Sequence, residues 1–126
     1  MKTMQFRHTA DRIKDRSQTV TRRLSAKGIK VGDLLEAINQ RTPGGSGSPA
    51  RIEGSLTVVQ VTDVRQEPLK TVTDDLDYGF EETSKEGYLE GHPRHWPSEF
   101  VEFICASNSG CTPDTIVTRI EFKYID

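Results

Sequence analysis

The residues with the most chemistry to offer stand close together: Gln18-Thr19-Val20-Thr21-Arg22-Arg23-Leu24, then Lys30-Val31-Gly32-Asp33-Leu34-Leu35. Alternation of small polar and apolar residues predicts an extended segment, with Thr19 and Thr21 on one face and Val20 on the other. Arg22 and Arg23 then point to opposite sides, so a regular strand offers at most one of them to a given pocket. Hydroxyl groups beside planar guanidinium groups suit a polyanion or a polar heterocycle such as a nucleobase. Arg94, in His92-Pro93-Arg94-His95-Trp96, is a further anion contact if that loop covers the mouth of a pocket.

Glu86-Gly87-Tyr88 offers an acid next to an aromatic ring. Glu86 also belongs to a run with Glu81, Glu82 and Glu90, whose helical spacing equally describes a solvated face. Tyr88, Trp96 and Phe80 are candidates for stacking on bases, worth about 1–3 kcal/mol per stacked base. Phe100, Phe103 and Phe122 read as core. His92, His95, Cys105 and Cys111 do not make a zinc pattern, because five residues separate the cysteines where metal-ligand pairs have two to four. No metal and no cofactor are expected.

The elements that must position these residues are short. Residues 3–7 read as a strand, and 8–15 as one or two helical turns with Thr9 as N-cap and Ile13 turned inward. Strands follow at 19–24, 34–39 and 56–65, the last being the best central strand because it is rich in Val and Thr. Residues 83–90 read as a short helix capped by Thr83 or Ser84. A longer helix runs from Pro97 to about Asn108, with Ser98 as N-cap, Glu99 in the first turn, and Phe100, Phe103 and Ile104 on one side. Residues 115–125 alternate, placing Ile116, Thr118, Ile120, Phe122 and Tyr124 on one face. The Gly/Ser-rich stretch 42–50 is the only low-complexity segment and reads as a mobile hairpin tip within one domain spanning 1–126.

Composition sets the outer limits. A chain of 126 residues is one domain by length and buries roughly two-thirds of its unfolded surface. With 33% apolar and 29% charged residues the core has little to spare. No apolar run has signal-peptide or membrane-span length, so a cytoplasmic chain with reduced thiols and no membrane partner is expected. The net charge of −2 hides a strong polarity. Residues 1–30 hold nine Lys/Arg against two acids, and residues 63–102 hold four against eleven. Such segments either neutralise each other or form a basic cleft rimmed by acids.

Taken in order, several segments resemble the elements of the ASCH domain, a small β-barrel related to PUA domains. They are Thr-Val-Thr-Arg-Arg-Leu with Lys-Val-Gly-Asp-Leu-Leu, the strand Val61-Thr62-Asp63-Val64-Arg65-Gln66-Glu67-Pro68-Leu69, and Glu86-Gly87-Tyr88. Pro97-Ser98-Glu99-Phe100-Val101-Glu102-Phe103 and Val117-Thr118-Arg119-Ile120-Glu121-Phe122 complete the series. The match runs over roughly residues 16–125, in the style of the short ASCH proteins of phages and bacteria. It implies an α+β fold, a PUA-like mixed β-barrel with a few short helices covering its openings.

The resemblance implies binding of RNA or another nucleic-acid-derived ligand in a cleft lined by Gln18, Thr19, Thr21, Arg22, Arg23, Glu86 and Arg94. Some ASCH proteins are amidohydrolases on acetylated cytidine, with a lysine, a nucleophilic threonine and a downstream glutamate. The threonine maps to Thr21 and the glutamate to Glu86, but the lysine position is Gln18. An amide cannot serve as the base that a threonine nucleophile needs, so the expectation leans away from an enzyme. A modified nucleoside remains an alternative ligand. A phage or regulatory protein that binds a host protein through its charged faces is a further alternative.

Overall fold

The computed structural model describes residues 1–42, 47 and 51–125, and its axis is one 18-residue strand, β4 (Arg51–Pro68). The first half of β4 pairs antiparallel with β3 (Leu34–Thr42), and its second half pairs antiparallel with β5 (Ile116–Tyr124). β1 (Lys2–Gln5) joins β3 in parallel, and β2 (Val20–Arg23) joins β5 antiparallel. The sheet order is therefore β1-β3-β4-β5-β2. Register shifts at Ala37/Ile38 and at Val61/Asp63 bend the long strands, as bulges do. The expected tip at 42–50 lies outside the described residues, apart from Thr42, which ends β3, and Gly47.

Both faces of the sheet are covered, so strand residues of either parity are buried. On the concave face Phe6, Ile13, Leu35, Val59, Val61, Ile120 and Phe122 form one apolar cluster, into which α1 (Ala10–Lys14) contributes Ile13. The opposite face carries α2 (Thr71–Asp74), α3 (Leu76–Lys85) and α4 (Pro97–Ser107), and there Leu69, Val72, Tyr88, Phe100, Val101 and Val117 form a second cluster. The alternation expected in 115–125 thus places Ile120, Phe122 and Tyr124 against the first cluster, while Val117 packs in the second. Ile116 is exposed.

Two helices start differently from the sequence expectation. α3 begins after Asp75, whose carboxylate accepts from the Tyr78 amide at 3.2 Å, and it ends at Lys85, near where a helix was expected to begin. Thr83 and Ser84 are not caps; the Ser84 hydroxyl donates back to the Phe80 carbonyl at 3.1 Å, as interior Ser and Thr do, and the Thr83 hydroxyl donates to the His95 carbonyl at 2.6 Å. α4 starts with Pro97 in its first turn and Trp96 as the flanking residue, so Ser98 is inside the helix. Gly79 is what lets α3 lie so close: a β-carbon there would fall 1.9 Å from the Val72 carbonyl oxygen and 2.8 Å from Pro97 Cγ.

The sheet does not close into the expected barrel. β1 and β2 are its two edges, and a side chain rather than a backbone ladder spans the gap between them. Arg23 Nη2 donates to the Gln5 carbonyl at 2.5 Å, with its guanidinium 4.9 Å from the centre of the Phe6 ring. A strand pair would leave no room for that side chain. No described helix is long and apolar enough to cross a membrane.

Candidate ligand-binding site

At the gap between the sheet edges lies a cavity of about 420 Å³. β2 and the segment just before it supply Gln18, Thr21, Arg22 and Arg23; the segment after β1 supplies Arg7 and His8; α4 supplies Phe100, Phe103 and Ile104; and Glu86 and Tyr88 close the wall. Arg23 and Thr21 share a face, with Arg23 Nε donating to Thr21 Oγ1 at 2.9 Å. Arg22 leaves the other face of the strand. Both residues are among those that line the cavity. The Arg22 side chain is nevertheless fully buried, so alternation leaves Arg23 as the partly exposed guanidinium of the pair.

Two buried polar atoms on this wall have no hydrogen-bond partner among the described residues: Gln18 Oε1 and Arg22 Nε. The Gln18 amide nitrogen is used, donating to the Val20 carbonyl at 3.0 Å. Gln18 is 2% exposed, so its carbonyl oxygen is an acceptor withdrawn from bulk water. Leaving such a group unpaired costs about 1–3 kcal/mol.

Arg22 is the centre of an ion network under α3. Its Nη2 reaches Glu82 at 2.6 Å, Tyr78 Oη at 3.2 Å and Glu67 at 3.5 Å, and its Nη1 reaches Glu86 at 3.0 Å. Arg119 is the register partner of both Arg22 and Arg65, so three arginines stand in a row across the outer face of the sheet. Like charges in such a row repel. Glu82 separates the first two, accepting from Arg119 Nε at 2.5 Å and Nη2 at 3.1 Å, while Glu121 and Asp63 take the rest of Arg119.

Burial and charge divide the carboxylates. Burial opposes ionisation of Glu82, but hydrogen bonds and charges from Arg119 and Arg22 outweigh it and hold its pKa at about 2. Glu86 is more isolated: burial raises it to about 7 despite Arg22 and Arg23 nearby. Glu82 draws on both Arg22 and Arg119, whereas Glu86 is hydrogen-bonded by Arg22 only, so burial prevails at Glu86. Burial also lowers the Arg23 pKa, with Glu86 and Tyr88 opposing. Burial raises Tyr88.

No protein-family model matches this sequence, and no curated protein does. The fold, however, has relatives among solved structures. The crystal structure of an ASCH domain from Lactobacillus crispatus JV V101 superposes with a TM-score of 0.57 at 17% identity, over 92% of this chain and 69% of that one. The chain has the ASCH-domain fold. A DUF984 protein from Enterococcus faecalis V583 superposes more loosely, with a TM-score of 0.49 at 16% identity over 99% of this chain and 80% of that one.

Within this ASCH fold the sequence motif residues divide. Gln18, Thr21, Arg22, Arg23 and Glu86 border the cavity together. Thr19 does not; its backbone ties β2 to its neighbours, the amide donating to the Lys85 carbonyl and the carbonyl accepting from Phe122. Arg94 is not on the wall either. It lies over the ring of Phe103, 3.6 Å from the ring centre, and so backs a residue that is. Of the three expected stacking residues only Tyr88 borders the cavity, while Phe80 and Trp96 pack edge-on against each other at 5.4 Å. Pro93–His95 form a 3-10 turn. Among the described residues no three His, Cys, Asp or Glu converge as metal ligands would.

Sequence reasoning missed Arg7, His8 and the α4 contribution to the wall, gave Glu67, Arg65 and Arg119 no role, and read Glu82 only as part of a possible solvated face, whereas it is buried. The charge polarity between residues 1–30 and 63–102 was the available signal for the network.

Proposed function

We propose that this chain binds RNA, or a nucleic-acid-derived ligand, by taking one nucleotide into the cavity at the open edge of the sheet. The observation that carries this reading is the unpaired Gln18 carbonyl oxygen, buried behind a cavity wall that Arg23 also lines. An acceptor of this kind reads a base amino or imino group, and Arg23 takes a phosphate or a base carbonyl. Phe103, half-buried on the wall with the buried Tyr88 behind it, supplies apolar ring surface for the base. The volume of about 420 Å³ fits the roughly 300–1,000 Å³ of small-ligand pockets. A PUA-like resemblance accords with a ligand drawn from nucleic acid.

Fluorescence anisotropy with single-stranded RNA, double-stranded RNA and single-stranded DNA, at low and physiological salt, tests the reading. Salt-sensitive binding weakened at least tenfold by Gln18→Leu is expected. No binding to any of the three would overturn it and direct the search to a protein partner.

Hydrolysis of an acylated nucleoside is a second reading, favoured by Glu86 titrating near neutrality in the cavity that Thr21 borders. Against it, no described lysine borders the cavity, and Gln18 stands where a base is needed. Turnover of acetylcytidine that disappears in Thr21→Ala would replace binding with hydrolysis.

A further inference from the structure

A second cavity, of about 450 Å³, adjoins the first. Arg7, His8, Thr9 and Tyr88 border both, so the two share a wall and a rim. The second is lined further by Arg12 and Lys14 of α1 and by His92. Arg12 is engaged by Asp15 at 3.0 Å. Arg7 and Lys14 are exposed, and among the described residues neither has an ion-pair or hydrogen-bond partner. Asp11 and Glu90 also stand on this wall and limit its net positive charge.

Cations also stand around the residue at the junction. His8 titrates below its ordinary value through partial burial and then through the charges of Arg7, Arg94 and Arg23. Its ring meets Phe103 edge-on at 5.1 Å, and Tyr88 meets His92 at 5.0 Å, so the wall between the cavities is made of flat rings. Rings flanked by unpaired cations are what a nucleic-acid single strand uses: bases stack while phosphates meet Arg and Lys.

We propose that the second cavity holds the nucleotide adjacent to the one in the first, with the phosphate between them at Arg7 and the following phosphate at Lys14. This rests on the binding reading above and sharpens it: the ligand is an oligonucleotide single strand and not a free nucleoside.

The test compares the four ribonucleoside 5′-monophosphates with a randomised six-nucleotide RNA, each titrated against the wild type, Arg7→Ala and Lys14→Glu, with circular dichroism as the fold control. The six-mer binds the wild type at least tenfold more tightly than any mononucleotide. Lys14→Glu weakens the six-mer at least tenfold more than it weakens the mononucleotides. Removing one phosphate-binding cation makes the plot of log affinity against log salt shallower by about 0.7. Mononucleotides that bind as tightly as the six-mer would overturn the second subsite and leave the first standing. A tight six-mer indifferent to both variants would also overturn it, since the strand would then leave by another route. Failure of every RNA and mononucleotide to bind would overturn both readings.

Discussion

Arg22 turns under α3 and ends among Glu82, Glu86 and Glu67, with none of its side chain exposed. Arg23, one residue further, ends at the edge of the sheet between Thr21 and the Gln5 carbonyl, half-buried and with the cavity before it. The first is committed to carboxylates of this chain. The second has no carboxylate of its own within ion-pair distance among the described residues, and its charge remains available to an anion. Adjacent identical side chains thus divide between holding the fold and serving a ligand, and alternation along an edge strand is what separates them.

The difference is sharpest in the consequences of removing each side. Glu82→Ala is expected to have the largest effect, because it leaves Arg22 and Arg119 facing each other across the register with their shared acid gone. Breaking a buried pair of this kind costs about 3–5 kcal/mol, and urea unfolding should show it as a lower midpoint. Arg22→Met removes one charge from the same network and leaves three acids short of a partner, so a loss of similar or slightly smaller size is expected. Gly79→Ala puts a methyl group into the Val72 carbonyl and should cost about 3 kcal/mol by overpacking, through displacement of the helix that carries Glu82. Arg23→Ala removes two hydrogen bonds and a ring contact at the sheet edge. It should cost only about 1–2 kcal/mol of stability while weakening ligand binding at least tenfold.

Two carboxylates of the network should move stability with pH in opposite directions. Glu82 has its folded pKa depressed to about 2 from the usual 4.5, so the unfolded chain binds more protons between these values. Its contribution is complete above about 4.5 and is lost as pH falls toward 2. Glu86 is raised to about 7 from 4.5, so here the folded chain binds more protons. Stability should decline as pH rises from about 4.5 through 7, and Glu86→Gln should flatten that decline. Urea midpoints recorded from pH 4 to 8 for the wild type and Glu86→Gln check it. Equal slopes in the two proteins would show that Glu86 does not carry the proton.

The motif made part of the site legible from sequence: Gln18, Thr21, Arg22, Arg23 and Glu86 do meet at one cavity. The role of Arg22 was not legible. It depends on Arg119 standing opposite Arg22 in β2 and, past a bulge in β4, opposite Arg65, a register that local alternation does not reveal. The polarity of charge left open whether the two segments neutralise each other or form a basic cleft, and did not say which residues would meet. The expected helix at 83–90 falls late of α3 because Gly79 weakens the helical pattern of residues 76–85, and because Thr83 and Ser84 carry the side chains of caps while serving inside the helix. Barrel closure was expected from resemblance, and the structure places Arg23 across the gap instead. A double substitution of Arg22 and Arg23, the natural experiment from sequence, would therefore confuse lost folding with lost binding.

The most direct test of this division is to separate the two arginines. RNA affinity and urea stability should be measured side by side for Arg22→Met and Arg23→Ala, with affinity expressed per folded molecule. Arg23→Ala should stay folded and lose binding at least tenfold. Arg22→Met should lose several kcal/mol of stability and bind in its folded fraction within a few-fold of the wild type. An Arg23→Ala protein that binds as the wild type does, or an Arg22→Met protein as stable as the wild type, would contradict the division.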